Sequence, residues 1–327
     1  MSTVTTTPTP VPLALATTVG KTPLRSLIMN ASGCFNPSLF HQLAPLPQCL
    51  GAIVTKTVTP QPRGGNPQYR TVELAGVGML NSIGLQNPGL DYALATDVPV
   101  SAALGCPVVL SVSAETPEAF GDLAHRIVQS APAQAGQVIA LELNLSCPNV
   151  AKGGVDFGSN PQTIALAITA ARQGLGEGSS IALWAKLTPN VASMLPMAES
   201  ASSAGVDAVT IMNTLLGTAI DVKARRFILP RISGGYSGPG VFPVALHHVQ
   251  NVHRHFPQLP IIGVGGIETV ENVLAMVMAG ASAVQVGTAC FRSPLVFAQL
   301  VDGLASWCGV EGVGVLSELC GVAVYTS

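Results

Sequence analysis

The chain has 327 residues, with 15 Lys and Arg against 17 Asp and Glu and a formal net charge of -2. That balance, with no dense basic run, excludes a large nucleic-acid backbone footprint. A hydrophobic share of 48% with 34 glycines suits many buried strands joined by tight turns, and the length fits one large α/β barrel as well as two domains.

The chain opens on MSTVTTTPTPVPL, which has no basic segment leading into an apolar core and so does not read as a secretory signal. Its Thr and Pro content predicts a mobile arm over residues 1–12, ahead of one domain over 13–327. Short Val- and Ile-rich runs bounded by Gly, Pro or polar residues then predict buried parallel strands at 27–31, 52–56, 108–113, 138–144, 181–187, 208–213, 260–264 and 283–286. Between the later runs, helical patterns cover 161–173, 192–204, 244–255, 269–279 and 295–306. Alternation of this kind builds right-handed βαβ units, and eight of them predict a single (β/α)₈ TIM barrel rather than a doubly wound open sheet. Residues 272–291 contain no Asp, Glu, Lys or Arg, but Gly280, Ser282, Gln285 and Gly287 interrupt them. They read as a buried helix, a turn and a strand, because a membrane span needs about 20 mostly apolar residues. Two long insertions, 57–107 and 214–239, are rich in Gly and Pro. Segments of that length are usually functional, and they read as long loops at the C-terminal face of the strands.

In a barrel the C-terminal strand ends form the active site. Here those ends carry Ser32 and Gly33, Thr55 and Lys56, Ser111 to Ser113, Asn144 followed by Cys147, Lys186, Asn213 and Thr214, Gly265 and Gly266, and Gly287 and Thr288. Polar groups closing every apolar strand need partners, which a ligand would supply. The glycine pairs after strands seven and eight stand where barrels often bind phosphate through backbone N–H groups, although tight turns would also use them. GVGGIE (263–268) fails the G-x-G-x-x-G pattern, since Glu268 takes the last place, so the chain has no dinucleotide fingerprint. Lys56 and Lys186 each interrupt an apolar run. A buried lysine is either paired with a carboxylate at the rim or retained for function, for instance to stabilise the negative charge of a reduced flavin. Cys147 lies in a Pro-containing loop, where a core thiol and a reactive thiol are equally plausible readings. The seven cysteines are scattered without a CxxC pair, so no zinc or iron–sulfur site is indicated, and a reducing cytoplasm is the simplest setting.

Six segments carry a resemblance: NLSCPN (144–149), NSIGLQNPG (81–89), TKTVTPQPRGGNP (55–67), NTLLGTAID (213–221), SGGYSGP (233–239) and IIGVGGIET (261–269). Together and in this order they resemble class 1 dihydroorotate dehydrogenases, from about Leu13 onward. The resemblance implies an FMN-bearing barrel that oxidises (S)-dihydroorotate to orotate in pyrimidine biosynthesis. It implies that Cys147 is the base removing the C5 proton, with Lys56 between substrate and flavin. Asn81, Ser82, Ile83, Gly84, Leu85, Asn144, Asn149, Asn213 and Thr214 would hold the substrate. Ser32, Thr55, Lys56, Asn144, Lys186, Met212, Gly238, Gly265, Gly266, Gly287 and Thr288 would contact FMN. Ser111 stands where the family has an asparagine at the flavin. Class 2 relatives use a serine base and a membrane-associating extension, which Cys147 and the polar N-terminus oppose. QNPG, NTLLGTAID and GGYSGP are most similar to class 1B, whose catalytic chain pairs with an FAD and [2Fe–2S] subunit to reach NAD⁺. LIMNASG and NSIG also resemble the fumarate-using class 1A homodimers. Other flavin barrels, such as dihydrouridine synthases and dihydropyrimidine dehydrogenase-like domains, are the remaining enzyme alternatives. A flavin-less scaffold barrel is the non-enzyme one.

Overall fold

The eight apolar runs fold as eight parallel strands: β1 (Ile28–Asn30), β2 (Ile53–Val54), β3 (Val108–Val112), β4 (Val138–Asn144), β5 (Ala182–Lys186), β6 (Ala208–Ile211), β7 (Ile261–Val264) and β8 (Ala283–Val286). In this computed structural model, which describes residues 11–35, 49–146 and 158–323, nearly every strand residue is buried. That explains the absence of period-two alternation, since helices cover the outside and side chains fill the inside. The strands bond in the order β1-β8-β7-β6-β5-β4-β3-β2, so the two ends of the order meet at a seam between β1 and β2. The fully buried Asn30 closes that seam. Its Nδ2 donates to the Val54 carbonyl at 2.7 Å and its Oδ1 accepts the Val54 N–H at 3.0 Å, so one amide stands in for a ladder pair.

Among the described residues six longer helices pack on the barrel: Pro117–Val128, Pro161–Leu175, Leu195–Ser203, Phe242–His255, Val270–Met278 and Val296–Glu311. Five correspond to the expected patterns. The sixth, Pro117–Val128, lies outside those patterns but has its own start signal. The Thr116 hydroxyl accepts the Ala119 N–H at 3.2 Å, with Pro117 just inside the helix. The 272–291 stretch divides into helix, turn and strand as its glycines require, and among the described residues no helix is long and apolar enough to cross a membrane. A short antiparallel hairpin, Thr17–Val19 with Thr22–Leu24, packs near β8, where the Thr17 hydroxyl donates to the Ser282 carbonyl at 2.8 Å. Most of the expected arm, Met1 to Pro10, lies outside the described residues.

The two insertions carry more secondary structure than their Gly and Pro content suggests. The first contributes strands Thr71–Leu74 and Gly78–Asn81, and the second contributes Leu215–Thr218 and Ser233–Ser237. They join in one four-stranded antiparallel sheet, with Asn81 opposite both Thr71 and Gly235. A smaller hairpin, Ile220–Asp221 with Arg226–Phe227, projects from the second insertion with Ile220, Val222 and Phe227 exposed.

Candidate active site

The C-terminal strand ends and the composite sheet enclose a cleft of about 1360 Å³. Its walls bring together Ser32, Lys56, Asn144, Lys186, Met212 and Asn213 from the strand ends, and Asn81 through Leu85 with Thr214 from the insertions. Gly238, Gly265, Gly266, Gly287 and Thr288 line its far end. Cys147 and Asn149 lie outside the described residues. The chain leading to them is fixed as far as Ser146, which lines the cleft and whose N–H donates to the Asn144 side-chain oxygen at 3.3 Å.

Thr55 and Ser111 sit behind the wall rather than in it. The Thr55 hydroxyl accepts the Ser111 N–H at 3.1 Å, and Ser111 is fully buried. The residue that reaches the cleft there is Thr57. Its Oγ1 lies 2.9 Å from the Ser111 hydroxyl and 3.1 Å from that of Ser32, and it accepts from Asn144 Nδ2 at 3.3 Å. Asn213 Nδ2 in turn donates to Asn144 Oδ1 at 3.2 Å, and Asn213 Oδ1 accepts the Thr214 N–H at 2.8 Å. Ser111 therefore orients Thr57, and Thr57 orients the amides. Asn190 extends this order by accepting the Leu216 N–H at 2.8 Å and donating to the Thr214 carbonyl at 3.0 Å.

The segment after Asn81 is held from the first insertion. Asn66 Nδ2 donates to the Ser82 carbonyl at 3.0 Å, and the Asn66 N–H donates to the Ile83 carbonyl at 2.9 Å. Leu85 takes a left-handed φ of 54°, a conformation few side-chain-bearing residues adopt, just before Asn87 anchors the turn to Thr59.

At the far end the N–H groups of Gly265, Gly266, Gly287 and Thr288 have no backbone acceptor among the described residues. Gly265 and Gly266 adopt φ of 132° and 69°, and a Cβ on Gly266 would come within 2.7 Å of the Phe242 backbone. Only glycine permits this path, which leaves a set of free donors beside the Thr288 and Ser237 hydroxyls, themselves 2.8 Å apart. Donors so placed match the oxygens of a phosphate monoester.

The two lysines differ. Lys186 is almost fully buried and has a carboxylate partner that its place in the sequence did not reveal: its Nζ lies 3.8 Å from Glu142 Oε1 and 3.4 Å from Gln285 Oε1. Glu142 Oε2 accepts from Gln285 Nε2 at 2.6 Å and from the Thr210 hydroxyl at 3.0 Å. Glu142, Thr210 and Gln285 come from the alternate strands β4, β6 and β8, as layered packing of a barrel interior requires. Lys56 makes no ion pair among the described residues. Burial pulls its ammonium below the ordinary value of 10.5, Cys34 opposes the shift, and the Arg70 charge adds to it. Burial raises the Cys34 thiol on the same wall, against the pull of Lys186 and Lys56.

Comparison with known proteins gives a consistent result. A family model described as dihydroorotate dehydrogenase matches residues 14–307. The chain is 40% identical over 309 residues to the catalytic subunit of dihydroorotate dehydrogenase B (NAD(+)) from Trichlorobacter lovleyi, covering 94% of this chain and 98% of that one. It is 42% identical to the same subunit from Pelobacter propionicus, covering 91% and 94%, and 42% identical to that from Geobacillus kaustophilus, covering 91% and 92%. A crystal structure of a dihydroorotate dehydrogenase from Eimeria tenella, in complex with ferulenol, superposes with a TM-score of 0.77. It covers 95% of this chain and 89% of that one, and at 23% identity it supports the fold alone.

Proposed function

The chain belongs to the dihydroorotate dehydrogenase family, and we propose that it oxidises (S)-dihydroorotate to orotate on FMN and reaches NAD⁺ through a separate electron-transfer subunit. One observation carries this reading. A single cleft joins a cationic and amide-lined end, around Lys56, Asn81, Asn144 and Asn213, to an end with free backbone donors at Gly265, Gly266, Gly287 and Thr288. The first suits a planar carboxylated ring and the second a phosphate.

In this reading FMN supplies the acceptor for the C6 hydride. Ser32, Lys56, Asn144, Lys186, Met212 and the glycines would hold it, with Thr57 doing what Thr55 and Ser111 were expected to do. The Lys56 ammonium and the amides of Asn81, Asn144, Asn149 and Asn213 fix the substrate ring and its carboxylate, with Thr214 and the backbone of Ser82 to Leu85. Cys147 takes the C5 proton onto its sulfur. A free thiol has a pKa of about 8.5, so little thiolate exists at neutral pH, and turnover should rise toward alkaline pH. The name shared by the relatives, a catalytic subunit, supports a separate partner subunit, which in this reading carries FAD and [2Fe–2S]. The exposed Ile220, Val222 and Phe227 of the projecting hairpin support a homodimer or subunit contact there. Free cysteines at 34, 49, 106, 290, 308 and 320 agree with a cytoplasmic setting.

The test is a purified chain assayed with dihydroorotate and a panel of acceptors. We expect a yellow protein that reduces an artificial dye alone and NAD⁺ only after the partner subunit is added. Cys147→Ala should keep its colour and lose turnover by about 10²–10⁴-fold. A colourless protein overturns the cofactor, near-normal flavin reduction in the variant overturns the base, and brisk fumarate turnover by the lone chain overturns the acceptor.

A further inference from the structure

Glu142 is the one wholly buried carboxylate on the barrel strands that is described, and the fold gives no packing reason for it. Barrel interiors are generally filled by branched apolar side chains. A buried ion pair is often no more stabilising than apolar residues of the same volume. The arrangement around Glu142 is also asymmetric. Both neutral donors, Gln285 Nε2 and the Thr210 hydroxyl, go to Oε2. Among the described residues Oε1 has no hydrogen-bond partner, and it lies 3.8 Å from Lys186 Nζ. Gln285 turns its amide nitrogen to the carboxylate and its oxygen to the ammonium, so it holds the two charges in register. Lys186 lines the cleft, whereas Glu142 is sealed behind it.

We propose that Glu142 sets how readily the bound flavin is reduced, by offsetting the charge of Lys186 from inside the barrel. The inference rests on the FMN reading above. Reduction adds negative charge to the flavin, which a cation at the cleft wall favours and an anion behind that cation opposes. Both side chains are buried, 3.8 Å apart, so the carboxylate acts over several ångströms with little screening. Glu142 thereby keeps the flavin from holding its electrons too tightly to pass them on. It acts through Lys186 and touches neither substrate nor cofactor.

The experiment equilibrates the FMN-loaded wild type and Glu142→Gln with a redox dye at one ambient potential and one pH, and reads the flavin spectrum. Glutamine keeps the volume and removes the charge. The reduced-to-oxidised ratio is expected to rise by about tenfold. Glu142→Asp, which withdraws the charge from Lys186 by one methylene, is expected to raise it about two- to threefold. A carboxylate that only pairs Lys186 for stability would lower the melting temperature of both variants without moving the ratio, and that result overturns the proposal. So does an unchanged or lower ratio in Glu142→Asp if Glu142→Gln does not fold. Failure of the wild type to take up FMN overturns the cofactor reading itself, a different result from equal ratios in loaded proteins.

Discussion

Lys56 and Lys186 close two strands of the same barrel, yet among the described residues only Lys186 has a carboxylate partner. Lys186 is held by Glu142 and Gln285, whereas Lys56 faces the cleft with its ammonium destabilised first by burial and further by Arg70. A lysine whose folded pKa lies below its unfolded value binds its proton less tightly in the native state. Its charge then costs stability at every pH below the folded pKa, and the cost fades as pH rises toward 10.5. Lys56→Met is therefore expected to melt at a higher temperature than the wild type near pH 7, with a smaller gap near pH 9.5, while losing dihydroorotate turnover. Thermal melts of the flavin-free proteins at the two pH values check this, and a Lys56→Met protein that melts lower at both contradicts it. Both lysines were legible because each interrupts an apolar run. Glu142 and Gln285 interrupt such runs too, but a residue inside a strand shows its role only when the strand facing it is known. Thr57 was hidden for a related reason, since it lies just beyond Lys56 and its value depends on Ser111, 54 residues later, and on Asn144.

Helices Pro117–Val128 and Pro161–Leu175 pack more closely than side chains would normally permit, because glycines face each other across the contact. A Cβ on Gly174 would sit 2.1 Å from the Gly121 carbonyl oxygen and 3.0 Å from the Ala124 side chain. Backbone cannot yield there without parting the helices. Gly174→Ala should gain about 1 kcal/mol in helix propensity yet lose about 3 kcal/mol to overpacking, a net loss of about 2 kcal/mol. Urea unfolding measures the sum, and a stabilised variant would show that the helices can separate at little cost. At this scale the sequence was most informative. All eight strands were visible as apolar runs because a parallel barrel buries both faces of each, and five helices showed their period. The hairpin Thr17–Val19 with Thr22–Leu24 was not visible, since three-residue strands of buried–exposed–buried pattern carry too few residues to establish a period. The seam was equally silent, because Asn30 looks like any polar residue ending a strand.

The composite sheet over the cleft belongs to the whole molecule, since its halves lie about 150 residues apart in the chain. Each insertion alone offers only a pair of short strands, marginal by itself in water. Stability comes from the junction at which Tyr236 lies opposite Leu80 and Gly235 opposite Asn81. Long-range pairing of this kind leaves no periodic trace in either segment, which is why both read as Gly- and Pro-rich loops. The junction also places Asn81 on the cleft wall, so the two insertions should order and disorder as one unit. Gly234 tests this. A Cβ there would meet the Asn81 carbonyl oxygen at 2.5 Å and Leu229 Cδ1 at 2.6 Å. Gly234→Val is expected to leave the barrel folded, because its bulk falls outside the eight-stranded sheet. Amide exchange should accelerate by about tenfold or more in residues 78–81 and 233–237 together, with protection in β4 to β8 retained. KM for dihydroorotate should rise more than kcat falls, because the loosened segment acts first on binding. Loss of protection confined to 233–237, with 78–81 as slow as in the wild type, would mean that the first insertion holds its own shape. The substrate amides would then be positioned locally rather than by the meeting of two distant segments.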